Sequence, residues 1–420
     1  MTQGQGRFAC RLLLCASAIF IGNAYAHSLS HDDAVRLAIQ RAPMLESQRS
    51  ELEAAQSRID SAGRLPDPEV IVAVDNLPIE GADAYSVGVE PMTMRRIGLM
   101  QAFPNASKRA AERGLAQAQA GRADAALTQA NLDVARATSI AWSELSSASK
   151  LVSALQTLIE EAELQAGAQR KSLAAGQSST VDALNAQSVV VQLKDRLFEA
   201  HESEQSARAR LEQWTGEDDV SPGESPSMEQ LPIARETLLS SLHRHALVRA
   251  LDQQILAARS QADVAKAAKR PDVSVELAYS KRGAAFADMV SLQFRVGLPV
   301  FAAHRQDPEI RAANAEVSGL EAMRESELRM HTAETRSQLA SWDAARERLV
   351  LLEQERVPLA QQATQAAQAA YRAGAGSLRE LIEARIREAD LLAERAQIEA
   401  RLARAWAYLK YLDSDEEDVR

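Results

Sequence analysis

Cysteine is almost absent from this sequence: Cys10 and Cys15 are the only two among 420 residues. Both lie in the N-terminal segment 1–26, which has the features of an export signal. If that segment is removed, the mature chain has neither disulfides nor thiolate chemistry. We expect no lipid anchor at Cys15, because the leucines before it leave no small residue of the kind that precedes a lipidated cysteine.

The export signal is predicted from the order of its parts. Arg7 and Arg11 supply positive charge, Leu12–Ile21 is a short apolar run, and Ala24–Ala26 is a small-x-small cleavage site. Removing the two arginines takes the formal net charge from −10 to −12. A negative charge of this size disfavours nucleic acid as a partner.

Long apolar runs and aromatic residues are scarce as well. After residue 26 no run approaches the roughly 20 apolar residues that a membrane helix needs, so any contact with lipid must be made by strands. Aromatic residues are 4% of the sequence, whereas hydrophobic residues are 46% and charged residues 25%. This balance favours long packed helices over a compact globular core.

Alanine fills the seams of the predicted helices. Apolar residues recur at alternating spacings of four and three, which keeps one side of a helix against a neighbour. One such seam is Ile382, Ile386, Ala389, Ala393, Ala396, Ala400, Ala403 and Ala407; a second is Ala116, Ala120, Ala123, Leu127, Ala130, Val134, Ala137 and Ala141. Because these side chains are small, the partner helices must approach closely.

The order of predicted elements occurs twice along the chain, which indicates an internal duplication. The predicted parts are a signal peptide at 1–26, a first repeat at 27–216 with strands at about 68–103, a linker at 217–234, a second repeat at 235–412 with strands at about 272–299, and an acidic tail at 413–420. The tryptophans follow the same repeat, as the pairs Trp142 and Trp342, and Trp214 and Trp406.

Each repeat is predicted to be a long rod. It begins with one helix, Ser30 to about Gly63 or Arg235 to Lys269, followed by two strands and a helix of roughly 70 residues. The long helix ends at a glycine, Gly176 or Gly374, where the chain can fold back into a further helix. The rod is then about 100 Å long, with strands at one end and the glycine turn at the other.

The strand pattern is clearest in the second repeat. There Val290, Leu292, Phe294, Val296 and Leu298 alternate with Ser291, Gln293, Arg295 and Gly297. Charged residues on the polar face, Glu276 and Arg295, would be costly in a dry core but not on a face that lines water. The alternation fits membrane barrel strands and a half-exposed antiparallel sheet equally well. In the first repeat, Gln101 stands where an apolar residue is expected.

Four strands are too few to close a barrel, because single-chain barrels start at about eight. Open strand edges are not tolerated in lipid. If these strands enter a membrane, several chains must share one barrel, and the protein is an obligate oligomer. The alternative from a different class is a soluble periplasmic coiled-coil adaptor, whose strands form a small water-exposed sheet.

Nearly all of the mature chain resembles the TolC-type outer-membrane efflux proteins. The resemblance rests on the duplicated helix–strand–strand–helix–helix order and on local phrases. Residues 32–38 resemble the opening helix of the family, and residues 64–68 resemble its helix-to-strand turn. The phrase at 94–99, with Phe103-Pro104 and Lys108-Arg109, is similar to the CzcC-like heavy-metal efflux branch.

The resemblance implies a mostly α-helical fold with a small β part: duplicated coiled-coil hairpins and four strands per chain. Three chains would form a twelve-stranded outer-membrane barrel on a periplasmic α-helical barrel. The implied partners are a periplasmic membrane-fusion adaptor, an inner-membrane resistance-nodulation-division pump and outer-membrane lipid. The implied function is passive export of heavy-metal cations, with a drug-efflux or type I secretion duct as the alternative.

The resemblance reaches single residues only at the two turns. Gly176, Gly374 and Gly376 match the tips that face the adaptor, although a glycine can also end a helix without any partner. Gly376 stands where the family's archetype has an arginine.

A periplasmic gate is implied beside these tips. Asp182 matches an acidic ring at the entrance, and Tyr371 matches a gating tyrosine. Because Gly376 replaces the arginine, Arg372 or Arg379 is expected to supply the ionic link. A first-turn carboxylate such as Asp182 is equally well explained by the helix dipole.

The sequence offers no constellation for catalysis. No phosphate-binding glycine loop, paired-carboxylate site or nucleophile–base arrangement stands out, so we expect neither an enzyme nor a cofactor. His243 and His245 are two residues apart, whereas a metal-binding pair on a helix is three or four apart. We therefore expect them at the surface and predict no metal site.

Overall fold

The computed structural model describes residues 27–231 and 233–413. The predicted signal peptide, with both cysteines, and residues 414–420 of the predicted acidic tail lie outside the described residues. Within the described ranges, no helix is both long enough and apolar enough to cross a membrane.

The first repeat contains two short helices, two long strands and a pair of long helices. In chain order its elements are β1 (His27–Leu29), α1 (His31–Arg41), α2 (Pro43–Ser61), β2 (Glu69–Asp75), β3 (Met94–Phe103), α3 (Ala106–Ala174) and α4 (Thr180–Thr215). The 69 residues of α3 form one continuous helix, about 100 Å long at 1.5 Å per residue. Its N-terminus is capped by Asn105, whose side chain accepts a hydrogen bond from the Lys108 amide.

The second repeat follows the same order. After β4 (Val220–Pro222) come α5 (Arg235–Ser240), α6 (Ala246–Ala267), β5 (Asp272–Lys281), β6 (Met289–Gly297), α7 (Gln306–Leu351), α8 (Val357–Arg372) and α9 (Leu378–Lys410). Single 3₁₀ turns precede α6 and α7, at Leu242–Arg244 and Ala302–His304. The predicted duplication of elements is confirmed.

The prediction of one continuous helix at the start of each repeat is wrong. In the first repeat the helix stops at Ala42, whose ψ of 118° is extended, and restarts at Pro43. Proline disfavours the helical conformation of the residue before it, and its missing N–H costs nothing in a first turn. In the second repeat the 3₁₀ turn and the extended His245 separate α5 from α6.

The long helix of the second repeat is also interrupted, by a π-helical turn at Leu352–Arg356 between α7 and α8. Pro358 lies two residues after this turn; it has no N–H to donate and crowds the carbonyl four residues earlier, so the helix widens there. Glu394 on α9 lies 3.1 Å from Arg348, which precedes the turn, and 2.8 Å from Arg356, the last residue of the turn. These arginines, Arg356 above all, lower the pKa of the Glu394 carboxyl.

The two alanine seams differ in how closely they are packed. On α3, five of the predicted seam residues are buried: Ala116, Ala120, Ala123, Val134 and Ala141. On α9, only Ala389, Ala403 and Ala407 are. Ala393, Ala396 and Ala400 instead line a groove of about 550 Å³ between α3, α4 and α9.

Tryptophan side chains hold the start of the first repeat and the linker before the second repeat against the long helices. Trp142 is fully buried, and its indole N–H donates to the Leu29 carbonyl in β1 at 2.9 Å. Trp342 donates in the same way to the Met228 carbonyl, at 3.1 Å. Because β1 also pairs with β4, the predicted linker lies against the helices at both ends.

His245 is not at the surface, contrary to expectation. It is 1% exposed, and its Nδ1 lies 2.8 Å from Nε2 of His331. Burial, followed by the charge of His331, lowers the pKa of His245 to about 4. Burial also lowers the pKa of His331, so both rings are neutral near pH 7.

Candidate functional site at the sheet and the helical turns

The four long strands form one antiparallel sheet in the order β2-β3-β5-β6. Its centre joins the two repeats, since β3 pairs with β5 from Arg95 opposite Lys281 to Phe103 opposite Val273. The outer edges, on β2 and β6, have no strand partner among the described residues. The sheet therefore carries two open edges.

One face of the sheet is apolar, and no other element in the described part of the chain covers it. Cross-strand neighbours stack into apolar rows across all four strands. Two of these rows are Val72, Ile97, Tyr279 and Val290, and Val70, Leu99, Leu277 and Leu292. Every one of these side chains is exposed, Leu292 to 60%. Gln101 interrupts the pattern, and its amide is satisfied by the Pro66 carbonyl at 2.8 Å.

The opposite face is polar, and a chain of alternating charges crosses it. Asp75 on β2 lies 3.0 Å from Arg96 on β3, and Arg96 donates to Glu276 on β5 at 3.0 Å. Glu276 also accepts from Arg295 on β6 at 2.8 Å. Gly98 leaves room for the glutamate: a Cβ there would lie 3.3 Å from its carboxylate. This confirms that Glu276 and Arg295 share the polar face.

The two glycine turns have the same geometry. Gly176 and Gly374 both have φ of +72°, a left-handed conformation that ends a helix and is open to glycine. Their amides donate to Leu173 and Tyr371 respectively, each at 3.0 Å. Gly376 packs against Ala370, because a Cβ there would lie 2.9 Å from the alanine Cβ. The three predicted tip glycines therefore lie at the two turns.

Each turn leads into a helix capped by a serine and an acid. In the first repeat Ser179 accepts from the Asp182 amide at 3.1 Å and donates to its carboxylate at 2.7 Å. In the second repeat Ser377 and Glu380 form a complete capping box. Glu380 is thus the counterpart of Asp182, and sequence reasoning missed it although the duplication pointed to it.

A groove of about 720 Å³ runs between α3, α8 and α9 near the turns. Tyr371 and Arg372 line it, whereas Asp182 and Arg379 do not. The groove also contains Arg385, which is 5% exposed and lies 2.8 Å from Glu161 on α3. This ion pair joins the two repeats, and neither residue was singled out from the sequence.

No potential metal site was found in the part of the chain that the structure describes: no three His, Cys, Asp or Glu residues lie close enough together to hold an ion. The notable geometry is instead a sheet with one apolar face at one end of the long helices and two matched turns at the other.

A sequence profile described as outer membrane efflux protein matches residues 34–217 and 238–413. The chain belongs to the outer membrane efflux protein family. Members of this family are transport ducts and not enzymes, so the prediction of a non-enzymatic chain is confirmed. The predicted location is confirmed too: an outer membrane efflux protein lies in the outer membrane, with a large helical part in the periplasm.

Solved structures share the fold of this outer membrane efflux protein. They include a membrane protein from Pseudomonas aeruginosa (17% identity, TM-score 0.78, 91% of this chain and 90% of that one). VceC from Vibrio cholerae is 18% identical (TM-score 0.75, 91% and 96%), and the CmeC channel from Campylobacter jejuni is 14% identical (TM-score 0.78, 93% and 89%). No curated protein matches the sequence.

Proposed function

We propose that this chain is the exit duct of a tripartite efflux pump and conducts substrate passively from the periplasm to the exterior. The uncovered apolar face of the sheet carries this proposal. In water, a face that exposes Val72, Leu99, Leu277, Leu292 and Phe294 together would be a strong aggregation liability. In lipid it is stable, and the polar face then lines a water-filled lumen.

The duct is a homotrimer in this proposal. Four strands leave two edges with unpaired backbone groups, which lipid does not tolerate, whereas three copies would supply twelve strands and close the barrel. The two edges also carry opposite charges on the polar face, Asp75 on β2 and Arg295 on β6. A neighbour's β2 can therefore follow β6 without like charges meeting.

The glycine turns are the proposed contact with the rest of the pump. Gly176 and Gly374 lie at exposed turns, and Gly376 completes the second turn. A periplasmic membrane-fusion adaptor would bind these tips and connect the duct to an inner-membrane resistance-nodulation-division pump. The energy for export would come from that pump, because the duct itself is passive.

The proposed entrance gate consists of Asp182, Tyr371, Arg372 and Arg379, which all lie within a few residues of the turns. Arg372 and Arg379 are exposed and form no ion pair with the residues that the structure describes. They are therefore available to carboxylates of a neighbouring copy. Asp182 is the gate residue with the clearest alternative role, since its carboxylate also serves the cap of α4.

Replacing Asp182 by alanine tests the gate. We expect block by multivalent cations to weaken by about tenfold in planar bilayers, because a ring of three carboxylates is lost from the pore entrance. The control is Ser179→Ala, which removes the helix cap but keeps the carboxylate. Wild-type block in D182A, or the same change in S179A, would remove Asp182 from the gate.

Heavy-metal cations are the proposed cargo. The proposal rests on the sequence at 94–99, which is similar to that of the heavy-metal branch of the family. These residues lie in β3. Deleting the gene should lower tolerance of zinc, cobalt, cadmium or copper several-fold and leave antibiotic tolerance unchanged. Plasmid-borne wild-type protein should restore growth.

The same deletion separates the alternatives. Unchanged metal tolerance would contradict the metal cargo, and new antibiotic sensitivity would then indicate a drug-efflux duct. Loss of a secreted protein would indicate a type I secretion duct. A chain that leaves the membranes on carbonate washing would instead be a soluble periplasmic adaptor, and the duct proposal would fail.

A further inference from the structure

The polar face of the sheet carries many small side chains. Between its two ends, the residues that project from this face without charge include Ala73, Gly98, Ala278, Ser280 and Ser291, by the strand register. Glu69 and Asp272 lie at the end nearest the helices. Away from that end, the only charged groups on the polar face of the described sheet are those of Asp75, Arg96, Glu276 and Arg295, which form the charge chain.

Glu276 holds the centre of this charge chain. Its side chain is 2% exposed, and each carboxylate oxygen accepts from a different arginine, Oε1 from Arg96 and Oε2 from Arg295. Its partners differ in exposure: the side chain of Arg295 is 50% exposed and that of Arg96 is 26% exposed. The acid is thus enclosed, whereas the arginines reach the water on that side of the sheet.

The charges of the four residues in the charge chain cancel, since two guanidinium groups face two carboxylates. Removing the charge of Glu276 would leave one net positive charge in each chain, and removing that of Arg295 would leave one net negative charge. Fixed charges in a narrow pore bias which ions pass, and they act over a Debye length of about 10 Å at 0.1 M salt.

We propose that Glu276 sets the ion selectivity of the lumen by neutralising Arg96 and Arg295. This inference rests on the proposed duct, because it needs the polar face to line a conducting pore. In the intact protein the charge chain favours neither cations nor anions, so metal cations pass without meeting an excess of guanidinium charge. Glu276 is then a specificity-determining residue of the sheet, separate from the entrance at the other end of the helices.

Two opposite charge changes test the proposal in planar bilayers under a potassium chloride gradient. Glu276→Gln should shift the cation-to-anion permeability ratio toward anions, and Arg295→Gln toward cations, each by about twofold. The double variant E276Q/R295Q restores neutrality and should return to the wild-type ratio. Glutamine at 276 keeps the side-chain size and one acceptor oxygen for an arginine, and glutamine at 295 keeps an N–H donor, so part of the hydrogen bonding is retained.

A purely structural role for the charge chain would give a different result. Weaker strand pairing would lower the yield of inserted protein in both single variants, without opposite shifts in permeability. Unchanged ratios, or shifts of the same sign, would overturn the proposal. If E276Q does not assemble, R295Q alone must still become more cation-selective. A wild-type protein that forms no pore would contradict the duct itself, which is a separate outcome.

Discussion

Leu292→Arg is expected to abolish stable insertion of the protein into the outer membrane. Leu292 lies in the middle of β6, opposite Leu277, on the uncovered apolar face. Arginine on a lipid-facing strand near the bilayer midplane costs about 2–4 kcal/mol. Three copies would together lose roughly 6–12 kcal/mol, which is comparable to the whole stability of a folded domain.

The neighbouring residue provides the matched control. Ser291 projects from the opposite face and pairs with Ala278, so Ser291→Arg should place the same charge in the water-filled lumen at little cost. The measurement is the amount of each variant that stays with outer membranes after carbonate washing. Equal retention of L292R and S291R would contradict the assignment of the apolar face to lipid.

Trp142→Ala is expected to cost about 3–5 kcal/mol of unfolding free energy. Its ring is fully buried in the first repeat, in a cluster with Leu145 and Leu211 among others, so alanine would leave a cavity there. The Leu29 carbonyl would also lose its hydrogen bond, worth about 1 kcal/mol. The pairing of β1 with β4 should loosen as a consequence.

A second substitution separates packing from hydrogen bonding. Trp142→Phe keeps most of the ring but loses the N–H, so we expect a smaller loss than for W142A. Trp342→Ala should resemble W142A, because Trp342 has the same role in the second repeat. Urea unfolding of the protein in detergent measures all three. A W142A protein with wild-type stability would contradict the anchoring role of the indole.

Much of the architecture follows from local sequence signals. The alternation over 290–297 predicted β6, and Gly176 and Gly374 predicted the ends of α3 and α8, because these features act within a few residues. Two misses had local signals of the same kind. Pro43 breaks the first helix and Pro358 accompanies the π-helical turn, and each proline disturbs the helix just before it.

The long-range contacts could not be predicted from such local signals. Glu276 and Arg295 were predicted on one polar face, but the contact of Glu276 with Arg96 depends on the pairing of β3 with β5. Arg385 forms its ion pair with Glu161 only because α9 packs beside α3. His245 is buried because it meets His331 on α7. Sequence spacing predicts none of these contacts, since the partners belong to elements far apart in the chain.

The mass of the purified protein in detergent tests the central claim most directly, because one chain has too few strands to seal itself in lipid. Light scattering coupled to size exclusion, corrected for bound detergent, should give three copies of the chain. That complex should require detergent to stay in solution. A monodisperse single chain that stays in solution without detergent would contradict the account.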